Sequence, residues 1–153
     1  MSRFRSPCPV LIAGALAAML HSGVFAAAAP TVPHTQMAEI TSLAGLPAQI
    51  RADLGADDKD AISDRGGPFN PGCIMVAGTP NQRFMLAALG TRTAIVAVEY
   101  GGIIHGASSR EYRFANGKWT LVRSGASALN LAGQGDLLAQ HARSAQPVMS
   151  KRR

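Results

Sequence analysis

Apolar side chains recur at two different periods along this chain. Leu43, Leu46, Ile50 and Leu54 fall three or four positions apart, the spacing that lines one side of a helix. Pro47 suits the first helical position and Gly55 the position just past the end, so a short helix is predicted over 47–54. Beyond a turn-rich stretch at 57–72 the period switches toward two, as in strands with one buried face. Strands are predicted at 73–76, 83–89, 93–100, 103–108, 111–115 and 118–123. Short turns separate them, among them Gly101-Gly102 and Asn116-Gly117. Connections this short require antiparallel neighbours, because a parallel crossover needs about a dozen residues.

The last hairpin has the strongest local signal. Asn116-Gly117 is the preferred pair for a two-residue type I′ turn. That turn sets Phe114 opposite Trp119 and Tyr112 opposite Leu121, all on one face, with Glu111, Arg113, Lys118 and Thr120 on the other. Burying each large apolar side chain is worth ~1.5–3 kcal/mol, so this face needs a cover, and the helix is the expected lid. From Ser124 onward the chain is rich in Ala, Gly, Ser and Gln, with Asp136 placed to cap a weak helix over 137–143. The expected fold class is α+β: a short N-terminal helix packed on a curved antiparallel β-meander of about five or six strands, followed by a weakly structured C-terminal tail.

The start of the chain changes the accounting. Arg3 and Arg5 precede an uncharged apolar run from Val10 to Leu20, and Val24-Phe25-Ala26 places small residues before a candidate cleavage point. Residues 1–26 therefore read as a cleaved signal peptide, and the protein is expected to be exported, either periplasmic or secreted. The run is shorter than the ~20 residues of a membrane span; an uncleaved anchor over 10–29 is the alternative. The remaining divisions are a flexible leader at 27–38, a single α+β domain at 39–125 and a basic-ended tail at 126–153.

Removing residues 1–26 leaves 13 basic and 9 acidic residues, a net charge of +4, of which Lys151, Arg152 and Arg153 hold three. The basic balance is thus concentrated at one end. It does not form the clustered face that nucleic acid requires, so no nucleic-acid partner is expected. The basic end offers a possible contact with an anionic membrane surface. Residues 38–64 carry a net −4 and residues 65–123 a net +5. Cys8 leaves with the signal, so Cys73 is left without an intramolecular disulfide partner and is expected in the core as a small apolar group.

His105 is the most tempting acid–base residue. With a two-residue turn at Gly101-Gly102 it opposes Val98, on the face away from Glu99, so a His–Glu dyad is not expected unless a bulge intervenes. Asp57, Asp58, Asp60 and Asp64 lack the ligand positions, the Gly and the Glu of a calcium loop, so a solvated acidic turn is the simpler reading. The stretch Asp64-Arg65-Gly66-Gly67-Pro68-Phe69-Asn70-Pro71-Gly72 combines an Arg able to grip an anion with glycines that permit close backbone approach. Gly106-x-Ser108 and Gly125-x-Ser127 both lack the final Gly of a nucleophile elbow. The expected binding residues are Asp64, Arg65, Tyr100 and His105, with no catalytic set, no metal and no cofactor. A small non-enzymatic extracytoplasmic binding or inhibitor/accessory module, with another exported protein as partner, is the leading expectation. The alternative is a small periplasmic hydrolase or isomerase using His105 in a helix–sheet pocket.

Overall fold

The computed structural model describes residues 37–149 except 59, 60 and 75. The expected signal at 1–26, the leader up to residue 36, and Lys151, Arg152 and Arg153 lie outside the described residues. Among the described residues the fold is mixed, with two α-helices and a mostly antiparallel sheet of seven strands. The strands are β1 (Ala38–Ile40), β2 (Ile62–Ser63), β3 (Gln82–Leu89), β4 (Thr93–Tyr100), β5 (Gly106–Ala115), β6 (Lys118–Ser127) and β7 (Gln146–Pro147). Their order is β1-β3-β4-β5-β6-β7, and β2 lies parallel to β3 beside Gln82 and Arg83. The helices are α1 (Ala48–Asp53) and α2 (Gln134–Ser144). No helix among the described residues is long and apolar enough to cross a membrane.

Two layers cover the sheet, where the hydrophobic pattern predicts one. Residues 93–99 of β4 are all buried, as expected of a strand enclosed on both faces. Ala94, Val96 and Val98 join Phe84, Ala87 and Tyr112 in a cluster with Leu46, Ile50 and Leu54, the residues in and around α1. Ile95 and Ala97 turn the other way and join Leu86, Ala88 and Met37 with Leu137 and Leu138 of α2. The stretch at 126–153 is accordingly not a loose tail within the described residues: it completes β6, supplies α2 and ends in β7. Ala88 and Ala97 are small enough to leave room for the two leucines.

Three predicted strands change. The described residues of 73–76 make no strand, and it is β2 that pairs with the start of β3. Cys73 is exposed rather than in the core. The predicted strands at 103–108 and 111–115 become one strand, β5, whose residues Ser109 and Arg110 keep partners on both sides. At the β5–β6 turn Asn116 and Gly117 adopt φ of 53° and 75°, as a type I′ turn requires. Phe114 pairs with Trp119 and Tyr112 with Leu121, and the Phe114 and Trp119 rings lie 5.2 Å apart. Gln49 of α1 clips this turn, accepting from Trp119 N at 2.8 Å and donating to Gly117 O at 3.3 Å.

Candidate functional site

The chemistry gathers at the end of the sheet where β4 turns into β5. That connection is a loop of five residues, 101–105, since Tyr100 pairs with Gly106. Ile103 and Ile104 therefore sit in the loop rather than in a strand, and His105 is free to turn back toward β4. Its Nε2 lies 2.8 Å from Glu99 Oε1. The two-residue turn expected from Gly101-Gly102 is thus replaced by a longer one, and the dyad it ruled out is formed. A Cβ at Gly101 would collide with Asn70 O and lie 2.7 Å from Pro71 Cα. Glycine is needed there because the 66–72 loop crosses against the turn.

Arg83 completes the cluster from the neighbouring strand. It pairs with Glu99 across β3 and β4 and donates to Glu99 Oε2 from Nε at 2.9 Å and Nη2 at 2.6 Å. Nη1 donates to Gly67 O at 3.4 Å. Phe69 is held between Arg83 and His105: the Arg83 guanidinium carbon lies 4.3 Å from its ring centre, and the His105 ring 5.9 Å away. Glu99 is 7% exposed, so its carboxylate is shielded from water with both oxygens engaged. The neutral tautomer that donates from Nε2 to the carboxylate leaves Nδ1 as an acceptor. No hydrogen bond joins Nδ1 to the described residues, and the His105 side chain is 41% exposed. The residue expected on an apolar face beside Val98 is instead open to solvent.

The other expected binding residues part company. Asp64, though exposed, is engaged by the chain's own groups, accepting from Ser42 Oγ at 2.7 Å, Leu43 N at 3.0 Å and Arg65 N at 2.7 Å. Burial pushes its carboxyl up, but these three hydrogen bonds outweigh it and hold the group below the usual range. Arg65 is exposed and lines a cleft of about 270 Å³ together with Arg83, Glu99, Met85, Leu129 and Leu131. Tyr100 follows Glu99 in β4 and so points to the opposite face. There it borders a shallow groove of about 440 Å³ with Ser108, Arg110 and Ser124. The structure brings His105 and Arg65 to the two flanks of the Arg83–Glu99 pair and leaves Asp64 and Tyr100 outside. Arg83 is a member that the sequence pattern does not single out, and Glu99 is one that the expected two-residue turn set aside.

A second polar cluster lies under α2. His141 Nδ1 is 2.8 Å from Ser109 Oγ, and its Nε2 is 3.1 Å from Glu111 Oε2. Arg113 contacts Glu111 Oε1 at 2.7 Å, and Arg123 Nη1 approaches Oε2 at 3.5 Å. Ser, His and Glu are the residue types of a nucleophilic triad. Here Ser109, Glu111 and His141 are at most 3% exposed, so no substrate reaches the hydroxyl. The cluster fastens α2 to the sheet. Glu111, expected on a polar outer face, is buried because α2 covers that face. Among the described residues no group of three or more His, Cys, Asp or Glu side chains is arranged to hold a metal ion. Comparisons of the chain with protein-family models, with curated proteins and with solved structures find no match.

Proposed function

We propose that this chain is a small non-enzymatic binding or accessory module working outside the cytoplasm, and that its partner is another exported protein. One observation carries the reading: Ile74, Val76, Ile103 and Ile104 are exposed, two on each of two loops at the same end of the sheet, with Ile103 97% exposed. Leaving such side chains wet is unfavourable, and exposed apolar groups beside polar ones mark surfaces that bind other proteins. The loops are held in place. Asn70, 8% exposed, accepts from Gly72 N and donates to Ile74 O, and Gly101 N donates to Asn81 O. A fixed apolar tip loses little conformational freedom on binding, which favours affinity. His105, next to Ile104 in the same loop, adds polar chemistry at its border.

The test is recovery of a stoichiometric partner from an extracytoplasmic extract, identified by mass spectrometry, with its affinity then measured on purified components. Ile103→Ser/Ile104→Ser is expected to weaken that affinity at least about tenfold, the scale of losing one well-buried interface side chain. The urea midpoint is expected to stay unchanged, because both side chains are exposed. Unchanged affinity in the double variant overturns the reading.

A hydrolase or isomerase is the second reading, favoured by the His105–Glu99 contact. The carboxylate orients the imidazole and leaves Nδ1 to take a proton, the arrangement of a general base. It ranks second because no nucleophile or set of backbone donors faces His105 among the contacts described above. If the chain has such an activity, His105→Gln is expected to lower kcat by roughly 10²–10⁴-fold. Turnover unaffected by this change removes His105 from the chemistry.

A further inference from the structure

We infer that the cleft beside Arg65 is a binding site for a small apolar carboxylate. The cleft runs between the Arg65-Gly66 turn and the loop carrying Leu129 and Leu131, over the surface of β3. Its charge is simple. Arg83 and Glu99 neutralise one another through two hydrogen bonds, whereas no hydrogen bond or ion pair joins the Arg65 guanidinium to the described residues. The lining therefore carries one uncompensated positive charge, with the planar donor fork that matches a carboxylate.

The rest of the wall is apolar. Met85, Leu129 and Leu131 line the cleft, and Leu129 stands 46% exposed over it. Methionine adapts to irregular ligand shapes because its thioether chain is unbranched and soft. A cleft of about 270 Å³ is of a size for a small ligand or the end of a peptide rather than for a folded partner. A short aliphatic acid fits this description, and so does the C-terminal carboxylate of a peptide ending in an apolar residue. Both have the same chemistry: one carboxylate for Arg65 and an apolar body for Met85, Leu129 and Leu131. This inference uses a different surface from the isoleucine loops and stands without them.

Four probes separate the possibilities: sodium hexanoate, hexanamide, the peptide Gly-Gly-Leu as free acid, and the same peptide as its C-terminal amide. Binding to the full chain is followed by the methyl NMR signals of Met85 and Leu131. Hexanoate or the free-acid peptide is expected to shift these signals while the two amides do not. Whichever acid binds identifies the source of the carboxylate. Arg65→Ala is expected to weaken that acid about tenfold to a hundredfold, the scale of a lost charge-assisted hydrogen bond. Arg65 is exposed on a turn, so the variant is expected to keep its urea midpoint. Ile103→Ser/Ile104→Ser is expected to bind the acid normally, which separates this site from the protein-binding surface. Equal shifts with acid and amide, no shift with either acid at millimolar concentration, or full affinity in Arg65→Ala overturns the proposal.

Discussion

Glu111→Ala is expected to cost about 3–5 kcal/mol of folding stability, the range for removing one partner of a buried ion pair. The carboxylate is 3% exposed and is shared by His141, Arg113 and Arg123. Without it, Arg113 and Arg123 converge on an empty position and His141 loses its Nε2 partner beneath α2. A domain of this size has only about 5–15 kcal/mol in total, so urea melts are expected to show a large drop in midpoint. Glu111→Gln, which keeps the shape and one acceptor, is expected to cost less. A midpoint for Glu111→Ala within experimental scatter of wild type refutes the assignment of this cluster as the fastening of α2.

The same residue gives a pH dependence with a definite sign. The hydrogen bond from His141 is the largest influence on the Glu111 carboxyl; together with Arg113 it outweighs the opposing effect of burial and holds the group below its ordinary value of 4.5. A depressed folded-state value means that the unfolded chain binds the proton more readily. The stabilisation is therefore fully present above about pH 4.5 and is lost as pH falls through the lower folded value. Asp64 shifts in the same direction and adds to the slope. Below pH 4.5 wild type is expected to lose stability more steeply than Glu111→Gln, as read from urea midpoints across pH. Parallel curves for the two proteins contradict it.

Phe84→Ala is expected to be comparably damaging. Phe84 is fully buried among Ile50, Ile62, Val96, Val98 and Tyr112, where α1 and the sheet meet. Truncating a buried Phe to Ala typically costs about 3–5 kcal/mol, because the cavity collapses only partly. Phe84 also borders the bulge between Phe84 and Leu86, the irregularity that sets Arg83 opposite Glu99. Thermal unfolding reports the first effect. The second is read from the His105 ring signals, which are expected to broaden or shift as the Arg83–Glu99 register loosens. A variant with wild-type stability and unchanged His105 signals contradicts both parts.

That bulge shows where sequence pattern stops being informative. Leu89 pairs with Ala94 at the β3–β4 turn, so an unbroken ladder brings Arg83 opposite Tyr100. One extra residue in β3 shifts the partner to Glu99 and moves Arg83 to the other face of the sheet. Nothing in Arg83-Phe84-Met85-Leu86 marks a bulge in advance. The five-residue loop after Tyr100 is similar: Gly101-Gly102 has the composition of a tight turn, but the 66–72 loop occupies the space against Gly101 and the chain turns three residues later. Each is a one- or few-residue choice made by distant packing. Together they create the Arg83–Glu99–His105 cluster.

The second helical layer was missed, although the sequence carries a trace of it. The unbroken apolar run from Ala94 to Val98 is the mark of a strand covered on both faces, and Leu137-Leu138 supplies the cover. What no local pattern indicates is that His141 and Glu111, 30 positions apart, meet beneath that cover. Neighbouring residues and their alternation were enough to specify the Asn116-Gly117 turn with its Phe114–Trp119 and Tyr112–Leu121 pairs, and the antiparallel order of the central strands, because these depend on backbone preferences and side-chain period within a few residues. Which carboxylate meets which cation, and whether His105 is sealed or open, depends on bulges, loop lengths and layers contributed from far along the chain. Those were settled only when the whole sheet and both of its covers were packed.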